Sequence, residues 1–286
     1  MRRFLTMMLA LVTAGGVVVT TAGAASAATY TRYVALGDSF ASVGTLTKIR
    51  TDPAGCFRST DNYPSGVAAR LGVAAFVDVS CGGATTVHMT QTQSVPLGQN
   101  APQFDALTAD TDLVTVSISG NDIGFGEIAS TCAGLSLTNP FGAPCEAHYT
   151  AGGADQLDTR IAQAATLVDA VLDGIHARAP QARVVVVGYL RILPPTTGCW
   201  PVVPFASGDV AYFDGVQHRL NGMLGERAAA RGATFVNPGE TTGHDVCQLP
   251  GNKWVEGLIP TSLSAPLHPN AAGQAHVAAL VAAALV

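Results

Sequence analysis

Charge is scarce in this chain. Only 12% of its 286 residues are Asp, Glu, Lys or Arg, and the acidic ones prevail, for a formal net charge of −5. A chain with this balance repels polyanions, so nucleic acid is excluded as a partner. The sequence has no C-x-x-C pair, and its six cysteines stand at long, irregular spacings, which argues against a zinc site. It also has no G-x-G-x-x-G, no P-loop, no H-E-x-x-H and no EF-hand pattern. The chemistry is therefore expected to need neither cofactor nor metal. Internal repeats and a dividing linker are missing too, which predicts a single domain.

The N-terminus has a three-part pattern. Arg2 and Arg3 precede an apolar run from Phe4 to Val19, and small residues lead to Ala25-Ser26-Ala27. This is the layout of a secretory signal peptide with an A-x-A cleavage site. Cleavage after Ala27 would leave a domain of residues 28–286. That piece carries 13 basic and 20 acidic residues, a net charge of −7, and is long enough to bury a large core. The expected localisation is extracellular, without stable membrane insertion, as a monomer. An even set of cysteines in an exported chain reads as disulfides. Cys56, Cys81, Cys132, Cys145, Cys199 and Cys247 allow 15 connectivities, of which pairing between sequence neighbours is the expectation.

Five short apolar runs read as strands. They are Tyr33–Leu36, Ala75–Val79, Leu113–Ile118, Arg183–Tyr189 and Ala233–Val236. Most are continuous β-branched or apolar stretches, the pattern of strands covered on both faces. Helical stretches lie between them. One runs from Tyr63 to Leu71 behind Asn62 as N-cap, and others span Asp155 to Arg178, Asp209 to Arg231 and Asn270 to Leu285. Alternation of this kind predicts an α/β fold, a three-layer α/β/α sandwich on a five-stranded parallel sheet of flavodoxin-like appearance. Three stretches, His88–Pro102, Thr131–Ala151 and Leu193–Ser207, are expected as long irregular loops.

In such sheets ligands bind beyond the carboxyl ends of the strands. Three glycine-flanked polar segments fall there: Gly37-Asp38-Ser39, Cys81-Gly82-Gly83-Ala84-Thr85 and Gly120-Asn121-Asp122. A fourth, Leu267-His268-Pro269-Asn270, precedes the last helix. Together they hold the parts of nucleophilic catalysis: a serine, a histidine to act as its base, and amide donors for an oxyanion.

At these residues the chain resembles a known family. Gly37-Asp38-Ser39-Phe40 is similar to the first block of the GDSL, or SGNH, hydrolases. Gly83-Ala84-Thr85 resembles their second block, Gly120-Asn121-Asp122 the third, and His268 the last. All four stand in the family's order across nearly the whole chain, and the layout with a leader and six cysteines is most similar to secreted actinomycete lipases and esterases. The resemblance implies roles. Ser39 would attack an ester carbonyl, and His268 would take its proton. The N–H groups of Ser39 and Gly83, with the Asn121 side chain, would form the oxyanion hole.

The pattern departs from the family at two places. Phe40 replaces a leucine, and Ala265 stands where an aspartate is usual, three residues before the histidine. A Ser39–His268 dyad is therefore expected, with the main-chain carbonyl of Ala265 holding the imidazole. The other histidines fit less well. His176, His218 and His276 lie in helices, and His88, His148 and His244 in loops. Asp38 and Asp122 are expected to fix loops. Trp200, Trp254 and Phe205 are candidates for an acyl pocket or for core packing. The substrate is expected to be a lipid or other acyl ester, in the lipase, esterase or phospholipase A range. A carbohydrate esterase is the alternative within enzymes, and a catalytically dead binding module the alternative outside them. With 6% aromatics the composition favours lipid over glycan.

Overall fold

The computed structural model describes residues 30–286. The leader segment and its cleavage site lie outside the described residues. Seven strands follow in chain order: β1 (Arg32–Gly37), β2 (Ala75–Asp78), β3 (Gln93–Val95), β4 (Gly98–Asn100), β5 (Leu113–Ser117), β6 (Arg183–Val187) and β7 (Thr234–Val236). Five of them form one sheet in the order β2-β1-β5-β6-β7, with every pair parallel. β3 and β4 make a separate antiparallel hairpin. The central strands are the continuous apolar runs of the sequence. Val34, Leu36, Leu113, Val114, Val116 and Val185 are all buried, and so are Thr115 and Ser117, which interrupt the apolar run of β5.

The helices are α1 (Ser39–Ser42), α2 (Tyr63–Leu71), α3 (Phe125–Ser136), α4 (Pro144–Thr150), α5 (Gln156–Arg178), α6 (Val210–Ala230) and α7 (Ala271–Ala283). The chain moves one way along the sheet from β1 to β2 and the other way from β5 through β6 to β7. Right-handed crossovers then put α2 on one face and α5 and α6 on the other. α7 packs against α2, and α5 against α6. This is the expected three-layer α/β fold.

Several helix starts follow from their capping residues. Asn62 Oδ1 accepts from the Ser65 N–H at 3.1 Å, Asp155 Oδ1 from Leu157 N–H at 2.8 Å, and Asn270 Oδ1 from Ala272 and Gly273 N–H at 3.0 and 3.1 Å. A cap of this kind contributes about 1 kcal/mol. Asp209 behaves differently. Its carboxylate accepts from Cys145 and Glu146 N–H, both at 2.9 Å, and so caps the start of α4 rather than its own helix α6.

Two of the expected loops carry regular structure. Residues 131–151 hold the second half of α3 and all of α4. α3 was obscured by Gly126, Gly134 and β-branched residues, which weaken local helix preference. Tertiary burial of Ile128, Ala129 and Cys132 stabilises it instead. Residues 88–102 contain the β3–β4 hairpin, whose three-residue strands are too short for an alternation to register. The stretch 193–207 is irregular, as expected. The disulfides join neighbours: Cys56–Cys81, Cys132–Cys145 and Cys199–Cys247, with Cα separations of 4.2, 4.8 and 5.5 Å. The first of them fixes the segment that follows β2, and the second ties α3 to α4.

Candidate active site

β1 ends at Gly37, beside Ser117 at the end of β5. Gly37 has φ +145°, and a Cβ there would stand 2.5 Å from the Ser117 carbonyl oxygen. Only glycine lets the chain leave the sheet at this point and pass directly into α1. The Asp38 carboxylate caps that one-turn helix, accepting from the Phe40 N–H at 2.9 Å. Ser39 is thus the first residue of a helix at a strand's carboxyl end, half-buried. Its N–H donates to no acceptor among the described residues.

Gly83 and Asn121 occupy the next two crossovers. Gly83 follows Cys81 in a turn with φ +74°, and its N–H likewise donates to no acceptor among the described residues. Asn121 follows β5. Its Nδ2 donates to the Ala84 carbonyl at 2.8 Å, which ties the third segment to the second. One of its two side-chain N–H bonds is used there, and the other is left over. Asp122 completes the tie, accepting from the Thr86 N–H at 3.0 Å and from its hydroxyl at 2.6 Å. Asp38 and Asp122 therefore fix loops, as expected. The backbone just before Asn121 is strained: Ser119 sits at φ +101° and is fully buried.

His268 reaches the same place from the other end of the chain. Leu267 has φ +57°, and Glu256 brackets the turn, its N–H donating to the His268 carbonyl and its carbonyl accepting from Leu267 N–H. The imidazole Nδ1 faces the carbonyl of Pro266 at 2.7 Å. This corrects the expectation for Ala265, whose carbonyl instead accepts the main-chain N–H of His268 at 3.2 Å. The tight turn between the two residues turns the Ala265 carbonyl toward the backbone. The one at Pro266 is left to meet the ring. Among the described residues no carboxylate hydrogen-bonds to the imidazole. Glu256 pairs with Lys253 at 3.3 Å and accepts from Asn270, Thr261 and Ser262, while Asp245 accepts from Cys247 and Gln248.

Burial holds the His268 pKa below its ordinary value, and the Pro266 carbonyl opposes that shift only in part. By accessible surface the residue is half-buried. Neutral imidazole is the form that can accept a proton, so the base stays competent below pH 6.5. We expect an NMR titration of the His268 ring in a Ser39→Ala protein to give a midpoint below 6.5. A midpoint above it would contradict this electrostatic picture.

Ser39, Asn121 and His268 line one cavity of about 220 Å³. Its walls are apolar: Phe40, Phe125, Ile192, Leu220, Leu258 and Leu267. Gly83 and Ala265 are not among the lining residues. Nor are the three aromatics proposed from sequence. Phe205 packs in the core 4.9 Å from Phe213, and Trp254 stacks between His244 and His276. Trp200 is half-buried away from the cavity. The remaining histidines stay outside it as well.

Two supporting residues escaped the sequence reading. Gln103 pairs with Gly37 through both its amide atoms, at 2.7 and 2.9 Å. Tyr189, just past β6, lines the cavity with its hydroxyl between Asp38 and Gly120. Tyr189 follows Gly188 at a strand's carboxyl end, and that position was a signal available in the sequence.

The chain matches the GDSL-like lipase/acylhydrolase family over residues 35–276. It belongs to that family. It is 40% identical over 253 residues to Lipase 2 of Streptomyces coelicolor, a match covering 86% of this chain and 83% of that protein. Among solved structures, phospholipase A1 from Streptomyces albidoflavus superposes with a TM-score of 0.70 at 30% identity, covering 89% of this chain and 98% of that one. The extracellular lipase of Streptomyces rimosus gives 0.68 at 30% identity, over 90% and 100%. The chain is a carboxylic ester hydrolase of the lipase and esterase class.

Proposed function

We propose that this hydrolase cleaves esters of apolar acyl chains through a covalent Ser39 acyl-enzyme. The apolar cavity that opens on Ser39 and His268 carries this reading. Neutral His268 takes the Ser39 hydroxyl proton as the oxygen attacks the carbonyl, and later gives it to the leaving alcohol. The Pro266 carbonyl, accepting from Nδ1–H, holds the tautomer whose Nε2 is free to accept a proton and stabilises the imidazolium. The free N–H groups of Ser39 and Gly83, with the second N–H of Asn121, receive the oxyanion. Water then repeats the sequence on the acyl-enzyme.

A glycan ester would suit an open polar groove, and the apolar lining of this cavity favours an acyl chain over a carbohydrate. A dead binding module would not need the unpaired donors beside a serine. Export fits the same reading. The leader-like N-terminus, the three disulfides, and the lack of any helix among the described residues long and apolar enough to cross a membrane all support it.

The test is a series of p-nitrophenyl esters from acetyl to dodecanoyl, run beside a phospholipid and acetylated xylan. We expect kcat/KM to rise from acetyl into the medium chains, because each methylene entering the cavity adds roughly 0.8 kcal/mol of burial. Activity confined to acetyl groups on xylan would overturn the substrate assignment. Gly126 refines this test. It lines the cavity, and a Cβ added there meets nothing within 4 Å. A Gly126→Leu side chain should fill the chain-binding space without disturbing α3. Activity on the octanoyl ester is expected to fall by about tenfold or more, with the acetyl ester changing little.

A further inference from the structure

Tyr189 stands at the carboxyl end of β6, two strands away from Ser39. Its side chain crosses the sheet's end to reach the nucleophile's own loop. The hydroxyl donates to Asp38 Oδ2 at 2.6 Å and accepts from the Gly120 N–H at 2.7 Å. Asp38 precedes Ser39, and Gly120 precedes Asn121. One phenol therefore joins the segment of the serine to the segment of the side-chain amide donor. Its ring also meets Phe40 edge-on, with centroids 4.9 Å apart, and Phe40 in turn lies 5.3 Å from the His268 ring. Residues flanking Ser39 and Asn121 thus converge on Tyr189, and Phe40 links it to the His268 ring.

We propose that Tyr189 is a positioning residue: its hydroxyl, bridging Asp38 and Gly120, sets the Ser39 Oγ and the Asn121 amide at the separation the tetrahedral intermediate requires. This rests on the acyl-enzyme reading above.

Three observations favour a positioning role over simple packing. The bridge is buried, with Tyr189 4% and Asp38 1% exposed, so no water competes for either bond. Burial and the neighbouring Asp38 carboxylate push the phenol pKa far up, so the hydroxyl keeps its proton in the neutral range. The main chain of Tyr189 is itself clamped. Its N–H donates to Asn221 Oδ1 at 2.8 Å, and its carbonyl accepts from Asn221 and Gln217 at 2.9 and 3.2 Å. A clamped backbone makes the hydroxyl a fixed reference point. Ser119, adjacent to Gly120, sits at φ +101°, and the Gly120 N–H bond to Tyr189 anchors the peptide that follows it.

Tyr189→Phe keeps the ring against Phe40 and removes only the bridge. Kinetics on an octanoyl ester, with enzyme counted by active-site titration, would read the result. We expect kcat to fall about tenfold to a hundredfold with KM within about twofold, since the substrate's acyl site is untouched. The Asp38→Asn variant weakens the same bridge from its other end. The double variant Asp38→Asn/Tyr189→Phe should then lose no more than the worse single one. If Tyr189→Phe yields too little folded protein, Asp38→Asn is read by the same kcat and KM criterion. A wild-type kcat in a titrated Tyr189→Phe enzyme, or strictly additive losses in the double variant, would overturn the proposal while leaving the ester hydrolase reading intact. A parent enzyme inert toward esters would overturn that reading, and this proposal with it.

Discussion

Replacing Ser39 or His268 by alanine is expected to lower kcat on a medium-chain ester by about 10⁴- to 10⁶-fold, and replacing both should cost little more than either alone. The two side chains perform one step between them. Without the serine there is no atom to acylate, and without the imidazole nothing accepts the proton. A residual rate above that in water should survive, because the oxyanion donors are supplied mainly by backbone. The same experiment separates a dyad from a triad. Glu256→Gln and Asp245→Asn are expected to retain far more activity than His268→Ala, since both carboxylates are occupied elsewhere. The buried charge of Glu256 faces Lys253, so Glu256→Gln should be felt chiefly as lost stability. If either substitution matched the His268 loss, the Pro266 carbonyl would not be the group that holds the ring.

Asn121→Ala is the second large effect. Its side chain has two duties: one N–H holds the Ala84 carbonyl, and the other is available to the oxyanion. Loss of the oxyanion donor should lower kcat by about 10²–10³, with KM nearly constant, because the donor acts where negative charge develops and not on the ground-state carbonyl. Loss of the Ala84 bond would instead loosen the Gly83 turn. Asn121→Asp tells these apart, since a carboxylate cannot donate and repels the oxyanion. It should be at least as inactive as alanine.

Much of this architecture was legible in the sequence, for identifiable reasons. The runs at Val34 and Val185 are unbroken because both faces of each strand are covered, and unbroken apolar runs are easy to find. The site could be read because catalysis demands particular residue types at strand ends, where Gly37-Asp38-Ser39 and Gly120-Asn121-Asp122 lie. What the sequence hid depends on contacts distant along the chain. α3 is made a helix by burial against partners that its own composition does not announce. The choice between the Ala265 and Pro266 carbonyls depends on the torsion at Leu267, φ +57°, in a residue type that seldom adopts it. Tyr189 stood at a strand's carboxyl end, but its role was hidden for a similar reason: its hydroxyl partners are 151 and 69 residues away. The acyl cavity was not located because its walls come from α1, α3, α6, the segment after β6 and the loop before α7, which are far apart along the chain.

Intact-mass analysis after treatment with a fluorophosphonate tests the central claim most directly. The account predicts a single adduct on the wild-type protein, carried by the peptide containing Ser39 and lost in Ser39→Ala. An unlabelled wild-type protein, or an adduct that persists in Ser39→Ala, would contradict it.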